Sequence, residues 1–118
     1  MGLPPMLDPA FPDGTFDLVT LQFIHLASSD RATAFRRCAQ AVAPGGLLLI
    51  AAHHPSDMNT TLRRPRALDL FYTAEELVAL LDDTWTVLAA DARPRTVKDG
   101  RGRFITARDT VLLARRAS

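Results

Sequence analysis

Two apolar runs, residues 16–24 and 47–52, separated by a stretch long enough for one helix, constrain this chain more than any other feature. Each reads as near-continuous rather than alternating, the pattern of strands covered on both faces. The segment between them breaks at Ser28-Ser29-Asp30, then places Phe35, Cys38, Ala39 and Val42 at helical spacing. Ser28 or Ser29 suits the amino cap, and Asp30 the first turn, where a carboxylate meets the positive end of the helix dipole. Arg31, Arg36, Arg37 and Gln40 fall largely on the opposite side. Pro44 disfavours helix at Ala43, and Gly45-Gly46 supply the turn into the second run. Strand, helix and strand over residues 16–55 make a crossover between parallel strands. Parallel strands point the same way, so His25 and the pair His53-His54 emerge at one carboxyl edge. Open α/β sheets bind ligands at that edge.

The remainder extends this unit. Pro4, Pro5, Pro9, Pro12 and the pair Asp13-Gly14 make residues 1–15 an extended lead-in, because prolines remove backbone donors and Asp-Gly marks a turn. Residues 53–70 form a loop of mixed polarity carrying Arg63, Arg64 and Arg66, a length typical of lids and binding loops. Thr73-Ala74-Glu75-Glu76 has the form of a capping box, with Tyr72 and Leu77 as its hydrophobic staple. Leu77, Leu80 and Leu81 bury that helix, which stops near Asp82-Asp83. Residues 85–90 read as a third strand. Asp99-Gly100 signals a hairpin into a last strand over residues 104–114.

The 118 residues are expected to form a single domain with a core of its own. A net charge of +1 gives no long-range field to hold nucleic acid or an anionic membrane, so neither is expected as a partner. Lys98 is the one lysine; the basic charge is otherwise arginine, a habit of codon composition before it is a sign of function. Cys38 is the one cysteine, so an internal disulfide and a cysteine metal site are excluded. The first residues lack the basic and apolar regions of a signal peptide, and no apolar stretch approaches the roughly 20 residues that span a bilayer. A cytoplasmic protein is expected.

Phe16-Asp17-Leu18-Val19, Phe23-Ile24-His25-Leu26 and Ala43-Pro44-Gly45-Gly46-Leu47-Leu48-Leu49-Ile50, in this order and spacing, resemble the second half of a class I S-adenosylmethionine-dependent methyltransferase. Phe71-Tyr72-Thr73-Ala74-Glu75-Glu76-Leu77 is similar to the start of a later helix in that family, and the resemblance covers residues 11–116. It implies a partial Rossmann-like α/β fold, a mostly parallel sheet ending in an antiparallel hairpin. The last strand would insert between the Leu47 and Trp85 strands. It also implies S-adenosylmethionine as cofactor and in-line methyl transfer, a reaction that needs alignment and desolvation more than a named base.

The family holds its cofactor on a glycine-rich turn beside a helix amino terminus, where bare backbone approaches closely. These residues contain no such turn: Gly100-Arg101-Gly102 lies in the hairpin, not between strand and helix. The chain is therefore expected to act as a truncated C-terminal half, inactive alone, that binds S-adenosylmethionine weakly or not at all. By the resemblance, Gln22 and Phe23 line the methionine end of the cofactor and Asp8 takes the place of the acidic residue at the adenine. His25 is the candidate general base or orienting group, against the plainer reading that it bonds a loop carbonyl. His53, His54 and Arg63 are candidates for lining a small-molecule acceptor. The outer edge of the Phe16 strand, residues 16–22, is expected to pair with a second copy or with a complementary N-terminal half. Two other readings stay open: a non-catalytic pseudoenzyme or interaction module, and a metal-binding protein using His25, His53 or His54, and Asp57. Adjacent histidines on an extended chain point to opposite sides, so no metal ligand is assigned.

Overall fold

The computed structural model describes residues 13–23, 28–60, 62 and 71–118. Its elements in chain order are β1 (Phe16–Gln22), α1 (Ser28–Ala41), β2 (Val42–His53), a 3-10 turn (Pro55–Asn59), α2 (Ala74–Val78), β3 (Trp85–Lys98) and β4 (Phe104–Arg116). They build one four-stranded sheet in the order β1-β2-β4-β3. β1 and β2 are parallel; β4 runs against both of its neighbours. Three strands thus share one direction and β4 opposes them, the order and directions expected from the crossover and the hairpin. Two of the three pairings are antiparallel, because the lone reversed strand lies between two others.

The core lies on the helix side of the sheet. Leu21 of β1, Leu48, Ile50 and Ala52 of β2 and Leu112 of β4 meet Phe35 and Cys38 of α1 and Tyr72 and Leu77 around α2. Burial raises the Cys38 thiol pKa to about 11, as expected of a packing residue. Tyr72 and Leu77 are both buried, as the staple requires. Thr73 Oγ1 accepts from the Glu76 amide at 3.3 Å. The Glu76 carboxylate turns away from the box and meets Arg31 at 3.4 Å. Arg31 also lies over the Tyr72 ring, 4.8 Å from its centroid, so this arginine joins the two helices and does not face away from them.

Several boundaries differ from the expectation. The Ser28 or Ser29 cap falls on side chains outside the described residues. β2 begins at Val42, not Leu47, because Pro44-Gly45-Gly46 is carried within the strand as an irregularity: Phe16 pairs with Val42, and Leu18 with Leu47. Val42 is buried, but in the strand. α2 is a short helix; beyond it the Leu80 and Leu81 amides donate to Leu77 O and Val78 O in tighter turns. β3 and β4 extend well past the apolar residues that announced them. β1 is not covered on both faces: Phe16 and Leu18 are 41% and 55% exposed. The lead-in is pinned where it is described, since the Gly14 and Thr15 amides donate to Gln40 O and Ala41 O, carbonyls at the open end of α1. None of the described helices is long and apolar enough to cross a membrane.

Candidate functional site

The parallel pair β1 and β2 ends together, with Gln22 beside Ala51. One residue on, the Phe23 amide donates to Ala51 O at 2.7 Å, while its backbone turns to φ 56°. A left-handed non-glycine residue costs on the order of 1–2 kcal/mol, and such conformations cluster at ligand sites. The turn brings the Phe23 ring to 4.9 Å from the ring of His53, the last residue of β2. Phe71, buried just before α2, places its ring 6.4 Å from the other residues' shared partner, His53. His53 therefore lies between two aromatic rings at the carboxyl edge, half-buried itself.

Below it sits Asp57, 1% exposed. Its Oδ1 accepts from the Arg108 amide of β4 at 2.9 Å, and its Oδ2 lies 4.0 Å from His53 Nδ1. A buried carboxylate that ties the 3-10 turn to β4 also gives His53 an acidic neighbour. At 4.0 Å this is an approach of a carboxylate to the ring, longer than a hydrogen bond. Thr110, fully buried in β4, donates its hydroxyl to Tyr72 O at 2.6 Å and so holds the segment carrying Phe71 against the sheet.

The residues singled out from sequence separate clearly. Phe23 and His53 come together. Gln22 is exposed at the end of β1, and its Nε2 donates to Thr20 Oγ1 at 3.3 Å. His54 turns away: its Nδ1 accepts from the Ser56 amide at 3.1 Å and caps the 3-10 turn. His25, Asp8 and Arg63 lie outside the described residues. Among the described residues no three His, Cys, Asp or Glu side chains gather as a metal site. The sequence marks Phe71 only as part of a helix-opening motif and places Asp57 in a loop, where the structure has a 3-10 turn. An aromatic immediately before a staple residue is the signal that marked Phe71. A cavity of about 260 Å³ opens at the other end of the strands, between Gln40, Leu81, Trp85 and Arg116. It lies away from the carboxyl edge, where the strained backbone and the histidine are.

Residues 5–50 match a family model described as a methyltransferase domain. The fold is shared with TehB from Haemophilus influenzae (18% identity, TM-score 0.68, covering 93% of this chain and 38% of that one). It is shared as well with an S-adenosylmethionine-dependent methyltransferase from Methanosarcina mazei (16%, 0.59, 95% and 64%). The N-methyltransferase NodS from Bradyrhizobium japonicum is a third (14%, 0.61, 96% and 57%). No curated protein matches the sequence. The chain spans from 38% to 64% of the length of these three structures. The family-model match and the shared fold support the class I S-adenosylmethionine-dependent methyltransferase family for this chain.

Proposed function

We propose that this chain supplies the acceptor-side part of a cytoplasmic S-adenosylmethionine-dependent methyltransferase that acts on a small molecule. The observation that carries the reading is the edge made by Phe23, His53 and Phe71 on a sheet of the methyltransferase order. Two aromatic walls around a half-buried imidazole fit an acceptor of modest size, held by stacking and one hydrogen bond. His53, at the end of β2 with Asp57 beneath it, receives or shares the proton that the acceptor loses as its nucleophile attacks the methyl carbon. Gln22 and Phe23 border the methionine end of the cofactor. His25, Asp8 and Arg63 keep the roles that the family resemblance suggests for them. When bound, the cofactor would supply an electrophilic methyl group for the acceptor's lone pair and would be left as a neutral thioether, its methionine end held beside Gln22 and Phe23.

The close backbone approach to the cofactor has no counterpart in these 118 residues, whose one G-x-G lies in the hairpin at Gly100 and Gly102. We assign that part of the pocket to a segment or partner that pairs with β1. Affinity is the small surplus left after a ligand is immobilised, so losing half of the contacts removes most of it. Isothermal titration of the 118-residue chain with S-adenosylmethionine is expected to give weak or undetectable binding. A dissociation constant in the low micromolar range would overturn the division of the pocket between two parts.

A further inference from the structure

β2 pairs with β4 from Leu47↔Arg115 as far as His53↔Asp109, whereas β3 and β4 stay paired out to Lys98↔Phe104. Residues 93–108 therefore leave the sheet as a two-stranded ribbon beyond the carboxyl end of β2. This segment holds six of the chain's fourteen Lys and Arg residues and one, Asp99, of its thirteen Asp and Glu. It carries net +5 in a chain whose total is +1. Screening at physiological salt acts over about 8 Å, so a near-neutral total does not cancel a charge set on a projecting arm.

The ribbon has two unlike faces. On one, Arg93 meets Asp91 at 3.2 Å and Arg95 meets Asp109 at 2.7 Å. At the turn, Arg103 meets Asp99 at 3.1 Å. The other face carries the pairs Lys98↔Phe104, Thr96↔Thr106 and Pro94↔Arg108, all exposed. Phe104 is 71% exposed, with Lys98 Nζ 5.1 Å from its ring centroid. Among the described residues the side chains of Lys98, Arg101 and Arg108 form no ion pair with a carboxylate, although the backbone amides of Arg101 and Arg108 donate to Asp99 Oδ1 and Asp57 Oδ1 at 2.9 Å each. A phenyl ring held in water adds little to folding. Beside cations that lack a carboxylate, it has the composition of a surface that tracks a polyanion and stacks a base.

We propose that this exposed ribbon face binds single-stranded nucleic acid: a base stacks on Phe104, while Lys98, Arg101 and Arg108 meet phosphates. Aromatic stacking combined with a cationic track is how single strands are held without sequence preference, and threonine hydroxyls add phosphate contacts. At about 3.3 Å per residue, Phe104 and Arg108 lie roughly 13 Å apart along one strand, room for a few nucleotides. A membrane-binding surface draws on a wider apolar face than one phenylalanine. The proposal reverses the expectation drawn from total charge. It concerns what the arm holds, and does not depend on the methyl-transfer reading.

Fluorescence anisotropy of labelled oligo(dT) and oligo(U) with the full chain tests it, between about 50 and 200 mM salt. Micromolar binding is expected, with log K falling against log salt at a slope of about −2 to −3, the value for three or four phosphates at −0.7 each. Phe104→Ala is expected to weaken binding about tenfold. Arg101→Ser and Arg108→Ser should each reduce the slope by about 0.7, while Arg36→Ser, on α1, leaves both affinity and slope unchanged. Circular dichroism checks that each surface variant stays folded. Absence of binding at the lowest salt, duplex bound as tightly as single strand, or an unchanged affinity in Phe104→Ala overturns the proposal. So does binding to phosphatidylserine vesicles without binding to either oligonucleotide.

Discussion

At the scale of single residues, the most informative position is Phe23. Its φ of 56° places a large side chain where glycine is the residue at ease. The ring gains contact with His53 in return. Separating the two effects takes two substitutions. Phe23→Ala removes the ring and keeps the strained backbone; Phe23→Gly removes both. Urea unfolding is therefore expected to find Phe23→Gly more stable than Phe23→Ala by about 1 kcal/mol. The opposite order would mean that the backbone there is not left-handed in solution. Sequence reading reached Phe23 only through a family resemblance, since nothing in Gln22-Phe23 announces a positive φ. His53 was visible because an apolar run ends at it. The His53–Asp57 approach was not visible, since it depends on a 3-10 turn that folds a residue four places on back beneath the strand.

At the scale of elements, the hinge of the parallel pair is Gly46. A Cβ there would meet Val42 Cγ1 at 2.8 Å and the carbonyl oxygens of Ala43 and Asp17 at 2.9 Å each. Two of these neighbours are backbone, one of them on β1, so the strain cannot be relieved by turning a side chain. Gly46→Ala is expected to cost about 1–3 kcal/mol in chemical denaturation, the scale of overpacking a tight site. Gly100→Ala, where nothing lies within 4 Å, should cost much less. Equal losses at both positions would show that the β1–β2 contact is looser than described. Gly46 also explains which elements were legible. The crossover, the hairpin and the strand order follow from apolar runs and turn residues that are local in sequence. The early start of β2 does not, because Pro44-Gly45-Gly46 has the chemistry of a turn. Only pairing with Phe16 across the sheet draws Val42 into the strand. The full length of β3 was hidden for a related reason. Its outer residues are exposed on the ribbon and show no apolar alternation, so hydrogen bonding to β4 alone extends them.

At the scale of the whole molecule, β1 sets the state of the chain in solution. It lies at one end of the sheet, and among the described residues nothing pairs with its outer edge. The strand contains no proline, and Asp17 is its one charge, a profile that favours pairing with another chain. Phe16 and Leu18 are exposed on it, and the face opposite the helices continues through half-buried Leu47 and Leu49. An apolar band of this kind joined to an open edge is seldom left bare. At the opposite side of the sheet, β3 carries Arg93, Pro94, Arg95 and Lys98, which suppress such pairing. Association is thus expected at β1 alone, which closes a two-fold dimer and does not propagate a fibre. The two β1 strands would run antiparallel across the axis and join the sheets into one of about eight strands, a size open sheets reach. Light scattering at micromolar concentration is expected to give twice the chain mass. Leu18→Lys, a charge placed on the exposed edge, should shift the protein to monomer without loss of secondary structure. A complementary chain carrying the cofactor-side strands would compete for the same edge, so adding it should dissolve the dimer. A wild-type chain that stays monomeric and soluble would mean that the edge is already covered, and both forms of pairing at β1 would then be abandoned.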